Sequence, residues 1–505
     1  MSRLKSKVAK GAVWATMERL VVQAVSFVVG IVLARLLTPS DYGTVALLSI
    51  FFAVAGSLVS CGFGNALVQK KTVGDLEFNS VFYASVVLAV IIYAIFFFSA
   101  PLIADFYKTP ILIPVVRVSA LSFIFNAINS VQGAELSRKM LFDRRFKISL
   151  ITCAVSSVCG IAFALFGWGV WAIVLSGLMT SVVSVLAYWF IIAWRPKLMF
   201  SFEALKGLFS YGWKLSVAGL VHTTYSNLYG FLIGRFYTPA DLAFVNKGNS
   251  MPSLLMSSVD GTINSVSFPA LAQLQDDKRR LRDAMRRMIQ CSTFLMFPLM
   301  AGLALCAREL ILLLYGEQWV AAAPYVQIAC ISFALLPFNS INTNAISAMG
   351  RSDVFLLLDC IKKTVGITLT FVALPHGVIV FMLVMAIVQS PFAVVVNSFA
   401  NGRLLGYNLW MQLRDVLAAA IMTMVMSVVV YWTQNLTEPL LSSTTVRLVA
   451  LFLQIVVSLI VGVVVYLGLS ILFKPKAFHE YVFVILPVLK NRMPRVARLA
   501  ERLTK

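Results

Sequence analysis

From residue 12 to residue 473 the chain repeats one pattern: an apolar run of about 20 residues, a short polar or glycine- and proline-bearing turn, then another apolar run. A helix of that length crosses a hydrocarbon core of about 30 Å, and lipid offers no partner to a backbone amide, so each run must close its own hydrogen bonds. A barrel strand would alternate polar and apolar positions. Residues 416–432 and 448–473 are instead apolar on nearly every side. The runs predict spans near 12–36, 44–68, 79–103, 111–135, 148–167, 170–194, 212–236, 243–270, 290–312, 322–349, 354–374, 378–399, 416–433 and 447–473. The expected fold is an all-α integral membrane protein with about fourteen transmembrane helices.

Composition agrees, since 60% hydrophobic and 12% charged residues lie far outside the soluble range. The formal charge of +21 raises the question of nucleic acid, and the placement of the bases answers it. With the N-terminus in the cytoplasm, the cytoplasmic segments collect Arg3, Lys5, Lys7, Lys10, Lys70, Lys71, Arg138, Lys139, Arg144, Arg145, Lys147, Arg195, Lys197 and Lys206. They go on to collect the cluster at 278–287, Arg351, Arg403, Arg414 and the tail beyond Lys474, while the opposite loops hold essentially Lys108 alone. Basic residues resist translocation, so this asymmetry predicts cytoplasmic N- and C-termini, an even number of spans and no nucleic-acid partner. The start MSRLKSKVAKG resembles a signal peptide, but the run behind it is too long and reads as an uncleaved first span. Seven cysteines and three histidines show no metal-ligand spacing, so no metal site is expected. The stretches LQDDKRRLRDAMRRMIQ and VLKNRMPRVARLAERLTK interleave bases with apolar residues at helical spacing and suit helices lying on anionic membrane lipids.

An internal repeat organises these spans. GIVLARLLTPSDYG at 30–43 returns as GFLIGRFYTPADLA at 230–243, ALVQ at 66–69 as ALAQ at 270–273, and FNAIN at 125–129 as FNSIN at 338–342, followed at equal distance by Arg138 and Arg351. The order implies two pseudo-symmetric six-helix bundles over 1–205 and 206–410, two further helices over 411–473, and a basic amphipathic cytoplasmic tail over 474–505. An even number of crossings per copy makes the repeat parallel, which in transporters places the substrate path between the bundles and permits alternating access. In each copy Thr precedes Pro and Asp follows two residues later, the chemistry of a turn that caps the next helix.

Polar residues inside spans supply the candidate site, because a charge facing lipid costs about 2.5–3.5 kcal/mol on insertion scales. Arg19, Gln23, Ser26 and Gly30 fall on one face of the first span, and His222, Tyr225, Ser226 and Tyr229 form a polar-aromatic stripe in the seventh. Arg35, Arg117, Lys214, Arg235 and Lys247 are further intramembrane bases, and Asn126, Asn129, Asn264, Asn339 and Asn342 the candidate amides. Bases suit phosphate and amides suit sugar hydroxyls, although amides and small residues also serve simply as interhelical glue. Glu18 and Asp260 are the acids at membrane depth, placed either to pair with a base, Glu18 with Lys214 for instance, or to couple transport to H⁺ or Na⁺.

No GxxxxGK[ST] loop is present, so the energy source is expected to be an ion gradient, the membrane potential or consumption of cargo. No hydrolase signature appears and the outer loops are short, which leaves a membrane glycan polymerase as the weakest reading. A drug or cation antiporter of the same architecture would carry acids where this chain carries bases.

The segments WATMERL, LARLLTPSDYGTVAL, and GFGNALVQKK followed by FNSVFYASV resemble polysaccharide flippases of the Wzx type, close to colanic-acid and lipopolysaccharide exporters of the multidrug/oligosaccharidyl-lipid/polysaccharide (MOP) superfamily. The resemblance implies a MATE-like pair of lobes, a bacterial inner membrane, and flipping of undecaprenyl-pyrophosphate-linked oligosaccharide to the periplasmic leaflet. It also implies glycosyltransferases and a polymerase of the same pathway as partners. Lipid II flippases of this superfamily are expected to carry an Arg-Asp pair where this chain has Val29 and Gly30, which disfavours lipid II as cargo.

Overall fold

The structure, a computed structural model, describes the backbone over residues 2–60, 63–70, 73–442 and 447–482. Side chains are described throughout these ranges except at 2–9, 12, 65, 210–212, 214, 215, 218, 258–266 and 438–442. Among the described residues every regular element is helical. Packing divides the chain into two compact units, Met1–Ala243 and Phe244–Lys505.

The first unit comprises α1 (Ser2–Leu36), α2 (Pro39–Ala46), α3 (Ser49–Ser60), α4 (Phe63–Gln69), α5 (Asp75–Tyr107), α6 (Leu112–Arg138), α7 (Phe142–Leu165), α8 (Val170–Ile191) and α9 (Phe202–Phe236). Helix α5 packs along α6, α7 lies between α1 and α8, α6 also meets α8, and α3 meets α9. Helix α9, which the sequence repeat assigns to the second copy, thus packs with the first unit.

The predicted turn chemistry is present in both copies. Thr38 caps α2: its hydroxyl accepts from the Asp41 N–H at 3.3 Å, while the Asp41 carboxylate accepts from the Thr38 N–H at 3.0 Å and from its hydroxyl at 2.7 Å. Thr238 and Asp241 repeat this box at 3.2, 3.1 and 2.7 Å. The two turns also touch. A Cβ on Gly43 would lie 1.7 Å from the Pro239 carbonyl oxygen, so only glycine permits this approach.

The second unit begins within α10 (Pro239–Ala272) and continues through α11 (Lys278–Leu305), α12 (Ala307–Leu314), α13 (Ala323–Ala348), α14 (Ser352–Ala373), α15 (Val378–Val384), α16 (Ser390–Leu405), α17 (Leu409–Ser442) and α18 (Arg447–Phe473). A π-helical turn over Met385–Gln389 joins α15 to α16 in one span. Helix α11 packs against α13 and α17, and α17 against α18.

Eleven helical stretches among the described residues are long and apolar enough to cross a membrane. Helices α9, α10 and α14 lie at the other expected spans, at 35, 34 and 22 residues, and are not among those eleven. The span expected over 44–68 begins earlier, as one membrane-long stretch over Pro39–Ser60 with a turn between α2 and α3; residues 61 and 62 lie outside the described residues. The basic stretch at 278–287 is also placed differently from the expectation that it lies on headgroups. It is the first turns of α11, capped by Asp277, whose carboxylate accepts from the Arg279 and Arg280 N–H groups at 3.0 Å. Leu281, Met285 and Ile289 turn into a core shared with Phe338, Ile341 and Tyr407, so its apolar face is spent on the protein interior. The tail over 483–505 lies outside the described residues.

Candidate substrate and ion-coupling site

The first unit contains a chamber of about 580 Å³ walled by α1, α7 and α8, with Tyr42 of α2 beside it. Ser26 and Gly30, two members of the predicted α1 stripe, line it. Helix α7 supplies Ser149, Thr152, Ser156 and Ser157, and α8 supplies Ser176, Thr180, Ser184 and Tyr188. Several hydroxyls donate into their own helices: Ser156 to Cys153 O at 3.2 Å, Ser176 to Ile173 O at 2.9 Å and Thr180 to Ser176 O at 2.9 Å. A hydroxyl that donates to its own helix retains acceptor lone pairs. The buried Thr152 Oγ1 has no hydrogen-bond partner among the described residues. The wall is therefore rich in acceptors at a depth where lipid-facing helices would carry aliphatic side chains.

A charged pair adjoins the chamber wall at Ser149. Glu18 of α1 accepts from Ser149 Oγ at 2.7 Å and from Arg145 Nε at 3.3 Å, and Tyr188 lies within electrostatic reach of both charges. The Glu18 side chain is only 14% exposed against 50% for Arg145, so the acid sits inside and the base leans toward water. The base described opposite Glu18 is thus Arg145. Lys214, the partner suggested by the sequence, has its side chain outside the described residues.

The other candidates of this unit are dispersed. Arg19, Arg35, Asn126 and His222 are exposed and Gln23 is half-buried. Arg117 donates through Nε to Phe97 O at 3.3 Å with its guanidinium 4.4 Å from the Phe97 ring centroid, and Arg235 sits 5.0 Å over Phe106. Both half-buried arginines are thereby held on aromatic faces of α5, where a weakly hydrated guanidinium is stabilised. On α9 the Tyr225 and Tyr229 hydroxyls are 3.1 Å apart, and Ser226 Oγ lies 3.4 Å from His222 Nδ1, so the predicted stripe is internally bonded.

In the second unit Lys247 is half-buried over two rings, 4.6 Å from Tyr315 and 5.4 Å from Trp319. The side chains of Asp260 and Asn264 lie outside the described residues. The sequence places Asn342 on a water-facing stripe; the structure buries it completely, donating to Phe338 O at 2.9 Å and Gln412 Oε1 at 3.0 Å and accepting from Asn401 at 2.9 Å. Asn339 accepts from Asn397, which also donates to Thr343 Oγ1 at 3.1 Å, and Ser398 donates to Gln412 Oε1 at 2.9 Å. For Asn342 the interhelical-glue alternative describes what is seen, because a buried amide must find partners and three helices supply them. Next to this network Asp415, 4% exposed, accepts from Arg286 through both oxygens, from Gln290 at 2.9 Å and from Tyr407 at 2.8 Å.

Sequence reasoning missed the chamber's α7 and α8 walls and the Arg145 partner. The signal was present on α8, where Ser176, Thr180, Ser184 and Tyr188 recur every fourth residue. It also missed Gln132 and Glu135, polar groups buried at 1% and 9% exposure in α6.

These helices and their polar interior define the class: a multi-pass α-helical membrane protein. Residues 32–324, more than half of the chain, match the polysaccharide biosynthesis protein family, and the chain belongs to that family. It is 24% identical to the teichuronic acid biosynthesis protein TuaB of Bacillus subtilis (strain 168), over 99% of this chain and 100% of that protein. It is 22% identical to the lipopolysaccharide biosynthesis protein WzxC of Escherichia coli (strain K12), over 74% and 75% of the two chains. In fold it is similar to the lipid II flippase MurJ in an inward closed conformation, with a TM-score of 0.72 at 14% identity, covering 91% of this chain and 98% of that one.

Proposed function

We propose that this protein is a flippase that carries an undecaprenyl-pyrophosphate-linked oligosaccharide from the cytoplasmic to the periplasmic leaflet of a bacterial inner membrane by alternating access, for surface polysaccharide assembly. The observation that carries the reading is a chamber of about 580 Å³ walled by serine, threonine and tyrosine hydroxyls among membrane-spanning helices. An open cavity of that size, with hydroxyls set among apolar side chains, can admit a hydroxyl-rich cargo, and the family membership and the names of the relatives point to polysaccharide. Arg19, Gln23, Arg35, Asn126, His222 and Tyr225 are the candidates whose exposure leaves them able to meet cargo. Glu18, and Asp260 in the second unit, are the proposed points of coupling to H⁺ or Na⁺.

In this reading the protein transports without chemistry of its own on the cargo and without ATP hydrolysis, with both termini in the cytoplasm. Glycosyltransferases supply its substrate and a polymerase consumes its product. Deleting the gene tests the function: surface polysaccharide should fall while the lipid-linked intermediate accumulates on the cytoplasmic leaflet, and the wild-type gene should restore both. Unchanged surface glycan in the deletion strain contradicts the proposal.

A further inference from the structure

Helix α5 follows ALVQ in the first copy of the repeat and α11 follows ALAQ in the second, and each carries an interior proline about two turns before its end, Pro101 and Pro298. Proline has no N–H, so the carbonyl four residues earlier loses its helical donor, and lipid supplies none in its place. Those carbonyls belong to Phe97 and Phe294. Both are served from another helix: Phe97 O accepts from Arg117 Nε of α6 at 3.3 Å, and Phe294 O accepts from the Tyr466 hydroxyl of α18 at 2.7 Å. Each donor also rests on the ring of the same phenylalanine. The Arg117 guanidinium is 4.4 Å from the Phe97 centroid, and the Tyr466 and Phe294 centroids are 5.1 Å apart. The donors differ in residue type, and one comes from α6 inside the repeat while the other comes from α18 beyond it. Duplication alone therefore does not account for the contact; what recurs is the freed carbonyl and its supply from outside.

We propose that Pro101 and Pro298 are hinges for the last turns of α5 and α11, and that Arg117 and Tyr466 are positioning residues that latch those hinges through the freed carbonyls. This rests on the flippase reading and deepens it by naming moving parts, and it gives Arg117 a role other than contact with cargo. An alanine at either proline would close the helix with a backbone N–H, and proline is the poorest residue for a helix interior. A backbone N–H is fixed in its helix, whereas a side-chain donor leaves and returns by changing rotamer. The bond that replaces it is thus one that can open without unwinding the helix.

The end of α5 bears on the candidate site. Beyond Pro101, Phe106 stacks on Phe231 of α9 at 5.2 Å and carries the Arg235 guanidinium 5.0 Å above its ring, while Tyr107 meets Phe51 of α3 edge-on at 6.1 Å. Bending at Pro101 therefore shifts the support of Arg235. In the topology proposed above, the ends of α5 and α11 both lie on the extracytoplasmic side, where cargo is released.

The test is hydrogen–deuterium exchange of the purified full-length protein in lipid, read by mass spectrometry over residues 102–108 and 299–305, with thermal unfolding beside it. Arg117→Met should speed exchange over 102–108 and lower the unfolding temperature. In a Pro101→Ala background, where an amide N–H serves Phe97 O, the same substitution should do much less on both readouts. Tyr466→Phe removes one hydroxyl, and with Pro298→Ala it repeats the cycle over 299–305 by a milder change should Arg117→Met fail to fold. Equal effects of the donor substitution with and without the proline overturn the latch. Pro101→Ala alone should slow exchange and raise the unfolding temperature, yet slow the movement of a fluorescent undecaprenyl-pyrophosphate oligosaccharide across vesicles. A proline of purely structural role would give the gain in stability with transport intact, and that result overturns the hinge. A wild type that moves no lipid-linked sugar refutes the flippase reading instead, while slower exchange in Pro101→Ala still sustains the hinge.

Discussion

The two units repeat one set of sequence motifs and differ in how far they pair the polar residues in them. In the second unit Asn342, Asn397, Asn401, Ser398 and Gln412 are all 1% exposed or less, and their side chains bond to one another and to nearby carbonyls. In the first, the equivalent Asn129 keeps an unpaired oxygen, a chamber opens between α1, α7 and α8, and Glu18 bonds to Arg145 and to Ser149 of the chamber wall. A duplicated scaffold thus carries a bonded amide network on one side, in which Asn401 Oδ1 still lacks a partner among the described residues, and the unpaired oxygens of Asn129, Gln132, Glu135 and Thr152 on the other. Saturated buried networks rigidify, whereas unsaturated ones invite water, protons or cargo.

The sharpest way to break the comparison is at the paired turns. Gly43→Val should prevent correct folding, since even a methyl at this position meets the Pro239 carbonyl at 1.7 Å. Ala243 stands at the same place in the second copy, and Ala243→Gly should cost only about 1 kcal/mol, because it removes a methyl and adds chain freedom. Expression and thermal unfolding in detergent separate the two outcomes.

Next in size is Asp415→Ala, which strands Arg286, Gln290 and Tyr407. Loss of a buried partner costs about 3–5 kcal/mol, and Arg286, 43% exposed, keeps enough water to hold the effect near the lower end. Asn401→Ala should destabilise the second unit by about 1–3 kcal/mol by unpairing Asn342. Gln132→Ala in the first unit should be neutral or stabilising, for it removes a group that lacks its partner. Equal losses for Asn401→Ala and Gln132→Ala in thermal melts would erase the distinction between the units.

The smallest effect belongs to the arginines that end the repeated motif. Arg138 binds carbonyls at the end of α4, while Arg351 binds Asp353 through both nitrogens and holds that carboxyl down to about 2. A carboxyl depressed in the folded state contributes stability above its unfolded pKa and loses it as pH falls through the folded value. This pair is fully exposed, so Arg351→Ala should return Asp353 toward the ordinary carboxylate range with little change in unfolding temperature at neutral pH. A pH series of melts on the variant checks it.

Much of this was legible in the chain. Apolar runs set the helices, and Thr-Pro-x-Asp set both capped turns because that chemistry acts within four residues. Legibility failed where contacts are distant. Glu18 and Arg145 lie 127 residues apart, and nothing local to α1 identifies the partner. Nor does the composition of α11 reveal that its apolar stripe meets α13 and α17 rather than lipid. Asn126 and Asn129 read the same as Asn339 and Asn342, and what parts them is the presence of Asn397, Asn401 and Gln412 on α16 and α17.

The central claim is that the polar interior of the first unit serves passage of a lipid-linked sugar. Its most direct test is reconstitution of the purified protein into vesicles carrying a fluorescent undecaprenyl-pyrophosphate oligosaccharide, with leaflet exchange read by a quencher that cannot cross the membrane. The account predicts exchange well above protein-free vesicles, slowed in Glu18→Gln and in Thr152→Val while both variants remain folded. Exchange no faster than in empty vesicles, from wild-type protein verified as folded, contradicts it.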